Sequence, residues 1–187
     1  MSRQTKSLKR MLLKEAEGAL ELCCTLDDRW PLDAESRELL TQRCLSTLDE
    51  IIDPRGHRAQ INYLRGQALR LEERFAEAIE ALEESWHLES LNVHTCLALG
   101  WCYKRVGRLE DAIEAMQLGL NVEPRRAILH YNLACYYALL KKTRPAVKHL
   151  TAAVTIDRSL HRLIASEKDF DPIRERPSFA GLVHQFE

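Results

Sequence analysis

The sequence predicts an all-α protein built from stacked antiparallel helical hairpins, and three observations predict it. The segments Ala59–Asn92, Val93–Arg126 and Ala127–Leu160 superimpose without a gap, each 34 residues long. Small residues recur in fixed columns of that alignment: Gly66, Gly100 and Ala134, then Ala78, Ala112 and Ala146, then Ser85, Gly119 and Ala153. Larger apolar residues flank those columns at helical spacing, with Leu99 and Leu133 just before the first column, Leu69, Tyr103 and Tyr137 three residues after it, and Leu82, Met116 and Leu150 in the second half of each segment.

The columns have a mechanical reason. Two antiparallel helices approach closely only where neither presents bulk at the crossing, so a hairpin needs small residues there and large ones on either side. The breaks between helices fall at Glu73-Arg74, at Gly107-Arg108 and from Lys141 to Thr143. Pro145 stands in the first turn of a helix, where its missing N–H costs little, and Pro124 closes the middle segment; Ser90 and Arg158 take the equivalent places in the other two.

The stretch LALGWCYKRVGRLEDAIEAMQLGLNVEP, Leu97 to Pro124, resembles the tetratricopeptide-repeat family closely, and YLRGQALRLEERFAEAIEAL and YNLACYYALLKKTRPAVKHL carry the likeness into both neighbours. The resemblance implies a right-handed superhelix of helical hairpins, with a concave inner surface made by the first helix of each pair. The three repeats are expected at 59–92, 93–126 and 127–160.

On the N-terminal side, residues 1–58 carry a helical stripe of Leu8, Leu12, Ala16, Ala19 and Cys23. A second helix is expected after Trp30-Pro31, from a cap at Asp33 to Ile52, with Cys44, Leu48 and Ile51 in the second-helix columns. This segment reads as a degenerate hairpin that caps the array, or as an unrelated helical extension. On the C-terminal side, residues 161–187 resemble the closing segment of many bacterial tetratricopeptide proteins, through Asp169, Phe170, Asp171, Pro172, Ile173 and Arg174, then Pro177 and Phe179. A last repeat exposes an apolar face that must be covered, and Phe170, Ile173, Phe179 and Leu182 are the expected cover.

Composition sets the outer limits. The chain has 187 residues, 45% of them hydrophobic and 6% aromatic, enough for one compact domain or a short repeat array. Charged residues make up 29% but nearly cancel to a net −1, so bulk attraction to nucleic acid is not indicated. The basic start is followed by Glu15, Glu17 and Glu21 rather than by a signal-peptide core, and no apolar run is long enough for a membrane span. The six cysteines, Cys23, Cys24, Cys44, Cys96, Cys102 and Cys135, form no CxxC pair and read as reduced thiols. A cytoplasmic location is expected, with no membrane partner.

No catalytic signature is present: there is no GxSxG, GxxxxGK[ST], HExxH or GxGxxG. His94 with Cys96, and His130 with Cys135, are too sparse to predict a metal, and a thiol beside His130 in a repeat core is expected to be inert. Asp169 and Asp171 suit turn and capping roles better than an ion loop. The chain is expected to be no enzyme and to need no cofactor or metal.

Binding is the function that remains. The resemblance places the inner surface on a stripe with Gln60, Tyr63, Gln67 and Arg70 in the first repeat. The second repeat contributes His94, Leu97, Trp101, Lys104 and Arg105, and the third Ile128, Tyr131, Cys135 and Ala138. Of these, Tyr63, Gln67, Arg70, His94, Trp101, Lys104, Arg105, Tyr131 and Cys135 form the candidate peptide groove. Cations and flat aromatics on that stripe suit an acidic peptide or protein segment, while Glu77, Glu80, Glu83, Glu84, Glu110, Asp111 and Glu114 lie on the second helices. The family's clamp for chaperone C-termini uses Lys and Asn, then Asn, then Lys and Arg. The aligned positions here are Tyr63 and Gln67, Ala98, then Ile128 and Asn132, and a one-repeat shift gives Leu64, His94 and Ala98; neither register supplies the cations, so that role is disfavoured. The expected function is a non-catalytic scaffold or adaptor binding a peptide in the groove. Self-association or membership of a fixed complex is the second reading, and single-stranded RNA binding the most remote, because base-reading pairs are not evident and the pI is near 6.7.

Overall fold

The computed structural model describes residues 5–29, 32–52 and 54–185. The turn expected at Trp30-Pro31 lies outside them. The described residues form helices joined by turns, with no strand among them, and fall into two compact units, 1–90 and 91–187.

The first unit holds two helical hairpins. Helix α1 (Lys6–Arg29) pairs with α2 (Ala34–Asp49), and α3 (Arg58–Leu71) with α4 (Phe75–Leu88). Asp33 caps α2, its carboxylate accepting from the Ser36 N–H at 2.7 Å; those hydrogen bonds hold its pKa below the ordinary 3.8. The helix ends at Asp49 rather than Ile52. Ile51 turns inward, its N–H on the Leu48 carbonyl at 3.2 Å, and Pro54 follows three residues later. Leu12, Leu13, Ala16 and Leu20 of α1, Cys44 and Leu48 of α2, and Ile61, Leu64 and Ala68 of α3 form one buried cluster. Leu8, at the start of the α1 stripe, is exposed. Buried Thr41 ties α2 to the next hairpin, its hydroxyl donating to Glu72 Oε1 at 2.7 Å.

The second unit repeats the hairpin with α5 (Val93–Arg105) and α6 (Leu109–Val122), then α7 (Ala127–Leu139) and α8 (Thr143–Ile156), α7 stacking on α6. A short helix α9 (His161–Ile164), a 3₁₀ segment at Lys168–Ile173 and α10 (Pro177–His184) close the unit. The 3₁₀ segment packs on α7 and α10 on α8. Phe170, Ile173 and Phe179 are almost wholly buried and Leu182 nearly so. Phe170 meets Phe179 with ring centroids 5.2 Å apart.

The hairpin turns are built alike. Glu73, Gly107 and Lys141, 34 residues apart, adopt left-handed φ of 59°, 79° and 57°. After each, the next N–H reaches back five residues: Arg74 to Leu69, Arg108 to Tyr103 and Lys142 to Tyr137, each at 2.9 Å. This is the Schellman closure of a helix C-terminus, which satisfies carbonyls the helix leaves unpaired. The small columns lie at the crossings: a β-carbon added to Gly66 would fall 2.5 Å from Leu82 Cγ, and one added to Gly100 2.4 Å from Met116 Cε. Ser85, the polar member of its column, donates to the Ala59 carbonyl at 2.8 Å and so is buried without an unmet hydroxyl.

Candidate functional site

In the first unit the stripe on α3 is partly occupied by its own neighbours. Arg70 Nε donates to Gln67 Oε1 at 2.9 Å, and Tyr63 packs half-buried against the cluster shared with α1. Burial raises the Tyr63 phenol above its ordinary value, against the opposing hydrogen bond with Gln67. Tyr63, Gln67 and Arg70 therefore form a connected polar row, each part-exposed.

In the second unit, α5 presents His94, Trp101, Lys104 and Arg105 along one side. These sit at spacings of three, four and seven residues, which one helical face requires. His94 opens the helix and is exposed; its backbone N–H donates to the Asn92 cap at 3.0 Å. The Arg105 guanidinium lies 5.4 Å from the Trp101 ring centroid, a cation–π geometry, with the tryptophan half-buried and the arginine exposed.

The chain's own closing segment covers the stripe on α7. Asp169 pairs with the Lys104 ammonium, and Phe170 sets its ring edge-on to Tyr131, centroids 5.8 Å apart. Tyr131 and Cys135 are buried beneath it, 4% and 3% exposed, and offer no surface to a ligand. Among the described residues the Tyr131 hydroxyl has no hydrogen-bond partner. Burial, reinforced by Asp169 and Glu167, pushes the Cys135 thiol far above its ordinary range; desolvation lifts those of Cys44 and Cys96 to about 12. Burial thus suppresses the nucleophilic thiolate at all three.

Cys135, Glu167 and Asp169 bring one sulfur and two carboxylates within 4.8 Å of one another. The arrangement already contains a cation, since Lys104 neutralises Asp169. The sequence suggested Asp169 only as a turn former; its partner 65 residues away is a tertiary pairing that no local spacing announces. A second pair lies within the same hairpin, where His130 on α7 meets His149 on α8. Burial first, then the charges of His130 and Lys148, push the His149 pKa down to about 4. Of the two clamp-aligned polar residues, Gln67 is held by Arg70, and Asn132 Nδ2 rests 3.8 Å from Met116 Sδ.

Comparison with known proteins bears on the whole arrangement. No curated protein sequence matches the chain. Among solved structures it is similar to MamA, at 18% identity over 86% of this chain and 99% of that one, with a TM-score of 0.59. MamA from Desulfovibrio magneticus RS-1, residues 41 to the end, gives 20% identity over 82% and 95% with the same score, and a MamA MSR-1 structure 17% over 81% and 95%, with 0.58. At such identities the likeness speaks for the fold alone. Two tetratricopeptide-repeat profiles match the sequence itself, one over residues 69–134 and one over 127–160. Sequence profile and helical hairpin thus agree over the same residues, and the chain is a member of the tetratricopeptide-repeat family.

Proposed function

We propose that the chain is a non-catalytic protein–protein interaction module, a scaffold or adaptor that holds an acidic peptide or protein segment on the inner stripe of its first helices. The observation that carries this reading is the pairing of Trp101 with Arg105 at 5.4 Å on α5. A flat ring offers contact area at small entropic cost, and a guanidinium stacked on it is already oriented toward an incoming carboxylate. The closing segment supports the ligand chemistry, because Asp169 and Phe170 meet Lys104 and Tyr131 with an acid and an aromatic side by side. On this reading His94, Trp101 and Arg105 provide recognition on α5 of the second unit, Lys104 is held by Asp169 of the closing segment, Tyr63, Gln67 and Arg70 on α3 of the first unit are candidates considered by themselves, and the buried Tyr131 and Cys135 serve packing instead.

Three repeats at 59–92, 93–126 and 127–160, with residues 1–58 and 161–187 as caps, are the organisation we adopt. Among the described residues no helix is long and apolar enough to cross a membrane, and all six cysteines are unbridged thiols, five of them buried; both support a cytoplasmic setting. The test replaces Trp101 and Arg105 together by Ala and compares partner capture from lysate, with folding checked by circular dichroism. Loss of a captured protein supports the groove reading, and unchanged capture by the folded variant sinks it. Self-association is the second reading, favoured by Ile156 and Leu163, which stay 38% and 47% exposed near the end of the second unit. Sedimentation at several concentrations separates the two, since a stable homodimer without ligand favours assembly.

A further inference from the structure

We infer that the cavity beside the end of α8 is a phosphate-monoester site, one that takes the phosphorylated side chain of a protein partner. The cavity, about 240 Å³, is lined by Val154, Arg158, Ser159, His161 and Arg162. All five belong to the second unit, and none is on the Trp101 stripe.

Its wall is one continuous turn of chain. Helix α8 ends at Ile156, and a 3₁₀ turn, Arg158–Leu160, passes directly into α9. Asp157 fixes the start of that turn, its Oδ1 accepting from the Ser159 N–H at 2.9 Å and from the Ser159 hydroxyl at 2.7 Å. The nearest acid in sequence is therefore engaged with the turn. Among the described residues, neither the Arg158 nor the Arg162 guanidinium has an ion-pair or hydrogen-bond partner. Four residues apart on a helical turn, the two share one face, where like charges repel.

A dianion relieves that repulsion. A phosphorylated side chain carries about −1.5 to −2 charge near neutral pH on three acceptor oxygens, and each guanidinium fork grips two oxygens. A carboxylate brings a single charge, which one fork already satisfies, so two arginines at one cavity select phosphate over Asp or Glu. His161 adds a third polar group. Its Nδ1 lies 2.7 Å from the Arg158 carbonyl; a carbonyl only accepts, so Nδ1 carries the proton and Nε2 keeps a lone pair for a monoprotonated phosphate oxygen.

The surroundings favour a peptide as the carrier of the phosphate. Polybasic segments that hold a lipid surface have about 4–8 Lys or Arg, twice or more what lines this cavity, and a chain of net −1 has no surplus of cations for a nucleic-acid backbone. Apolar contact is present instead. Val154, on the cavity wall, is 1% exposed, and Leu163, one helical turn beyond Ser159 and so on its face, is 47% exposed. Leu163 gives the residue beside a phosphoserine an apolar surface to rest on.

The probe is the capped tripeptide Leu-phosphoserine-Leu, titrated into the full chain and followed by the arginine Nε–H resonances in NMR spectra, with the unphosphorylated tripeptide and inorganic phosphate as separate arms. Saturable shifts are expected at Arg158 and Arg162 with the phosphopeptide and none with the serine form. Affinity is expected to fall roughly fivefold or more in Arg158→Gln and in Arg162→Gln, since each loses one charge-assisted fork, and to hold in Arg125→Gln, an exposed arginine away from the cavity. All three residues are exposed, so the variants keep the fold. Equal response to both peptides, no response to either, or unchanged affinity in the double variant Arg158→Gln/Arg162→Gln overturns the site. Inorganic phosphate binding as tightly as the phosphopeptide overturns the protein partner and makes free phosphate the ligand. Partner capture through Trp101 and Arg105 is a separate measurement, so either reading can fail without the other.

Discussion

Single residues decide how each hairpin turns. Three positions 34 residues apart take a left-handed conformation, yet only Gly107 is the residue that does so without a steric charge; Glu73 and Lys141 carry a β-carbon into it. The turn is thus imposed by the Schellman hydrogen bonds and the packing of the two helices, with glycine an aid where it occurs. Lys141 is exposed, so Lys141→Gly changes little besides the backbone and is expected to stabilise the protein by about 0.5–1 kcal/mol, the relief of left-handed strain less the added entropy of the unfolded chain. Gly107→Ala is the mirror experiment. Nothing lies within 4 Å of the added carbon, so its cost is purely conformational, about 1 kcal/mol. Urea unfolding of the two variants should displace the midpoint in opposite directions.

At the level of helices, close approach at the crossings governs stability, and the two glycine crossings differ in what they face. At Gly66 the added carbon would meet Leu82 at its branch point, 2.5 Å away, and the Ala78 carbonyl oxygen at 3.2 Å. Leu82 is fully buried, so neither atom retreats without moving a helix. At Gly100 the obstacle is the terminal methyl of Met116 at 2.4 Å, the end of a side chain with three rotatable bonds. Alanine gains about 1 kcal/mol over glycine in a helix interior, whereas overpacking costs about 1–3 kcal/mol where the core cannot yield. Gly66→Ala is therefore expected to lower the melting temperature, and Gly100→Ala to leave it unchanged or raise it. Equal losses in both would show that the methionine is as constrained as the leucine. These crossings were legible in the sequence because a small residue, Gly66, Gly100 and then Ala134, returns every 34 positions. The end of α2 was not, since its stop depends on Ile51 turning into the core, a long-range preference that helical periodicity does not register.

At the scale of the whole chain, the residues that helical spacing names as stripe candidates differ in burial, and the difference shows what spacing does not register. Periodicity picks out one face of each first helix, which names His94, Trp101 and Arg105 on α5 and Tyr63, Gln67 and Arg70 on α3 as candidates. It does not tell whether a later part of the chain folds over that face. Tyr131 and Cys135 obey the same spacing and are buried, because the segment from Glu167 to Phe170 returns to cover them; the information lies in the pairing of Lys104 with Asp169, far apart in sequence. Phe170, Ile173, Phe179 and Leu182 could be named as cover because the segment resembles a closing segment and a last repeat's apolar face must be covered.

That cover makes the reactivity of one thiol a gauge of the closing segment. Five of the six cysteines are buried and only Cys24 is exposed, so the native protein is expected to react with a disulfide reagent at one thiol, the rest appearing on denaturation. Phe170 has no exposed surface, touching Tyr131 on one side and Phe179 on the other. Its truncation to Ala removes the wedge that holds the segment down and is expected to cost about 3–5 kcal/mol, drawn from the stability of the second unit, where every one of these contacts resides. Opening of the segment separates Asp169 from Lys104 and returns water to Cys135, so two of the causes that suppress its thiolate, burial and the Asp169 charge, weaken together. In Phe170→Ala a second thiol should therefore become reactive under native conditions, identified as Cys135 by peptide mass spectrometry, while Cys44 in the first unit stays protected. If Cys44 and Cys135 react at the same rate, the variant has unfolded globally and the closing segment is no separate lid on the stripe; if Cys135 alone appears, the segment opens as a local element over an otherwise intact repeat.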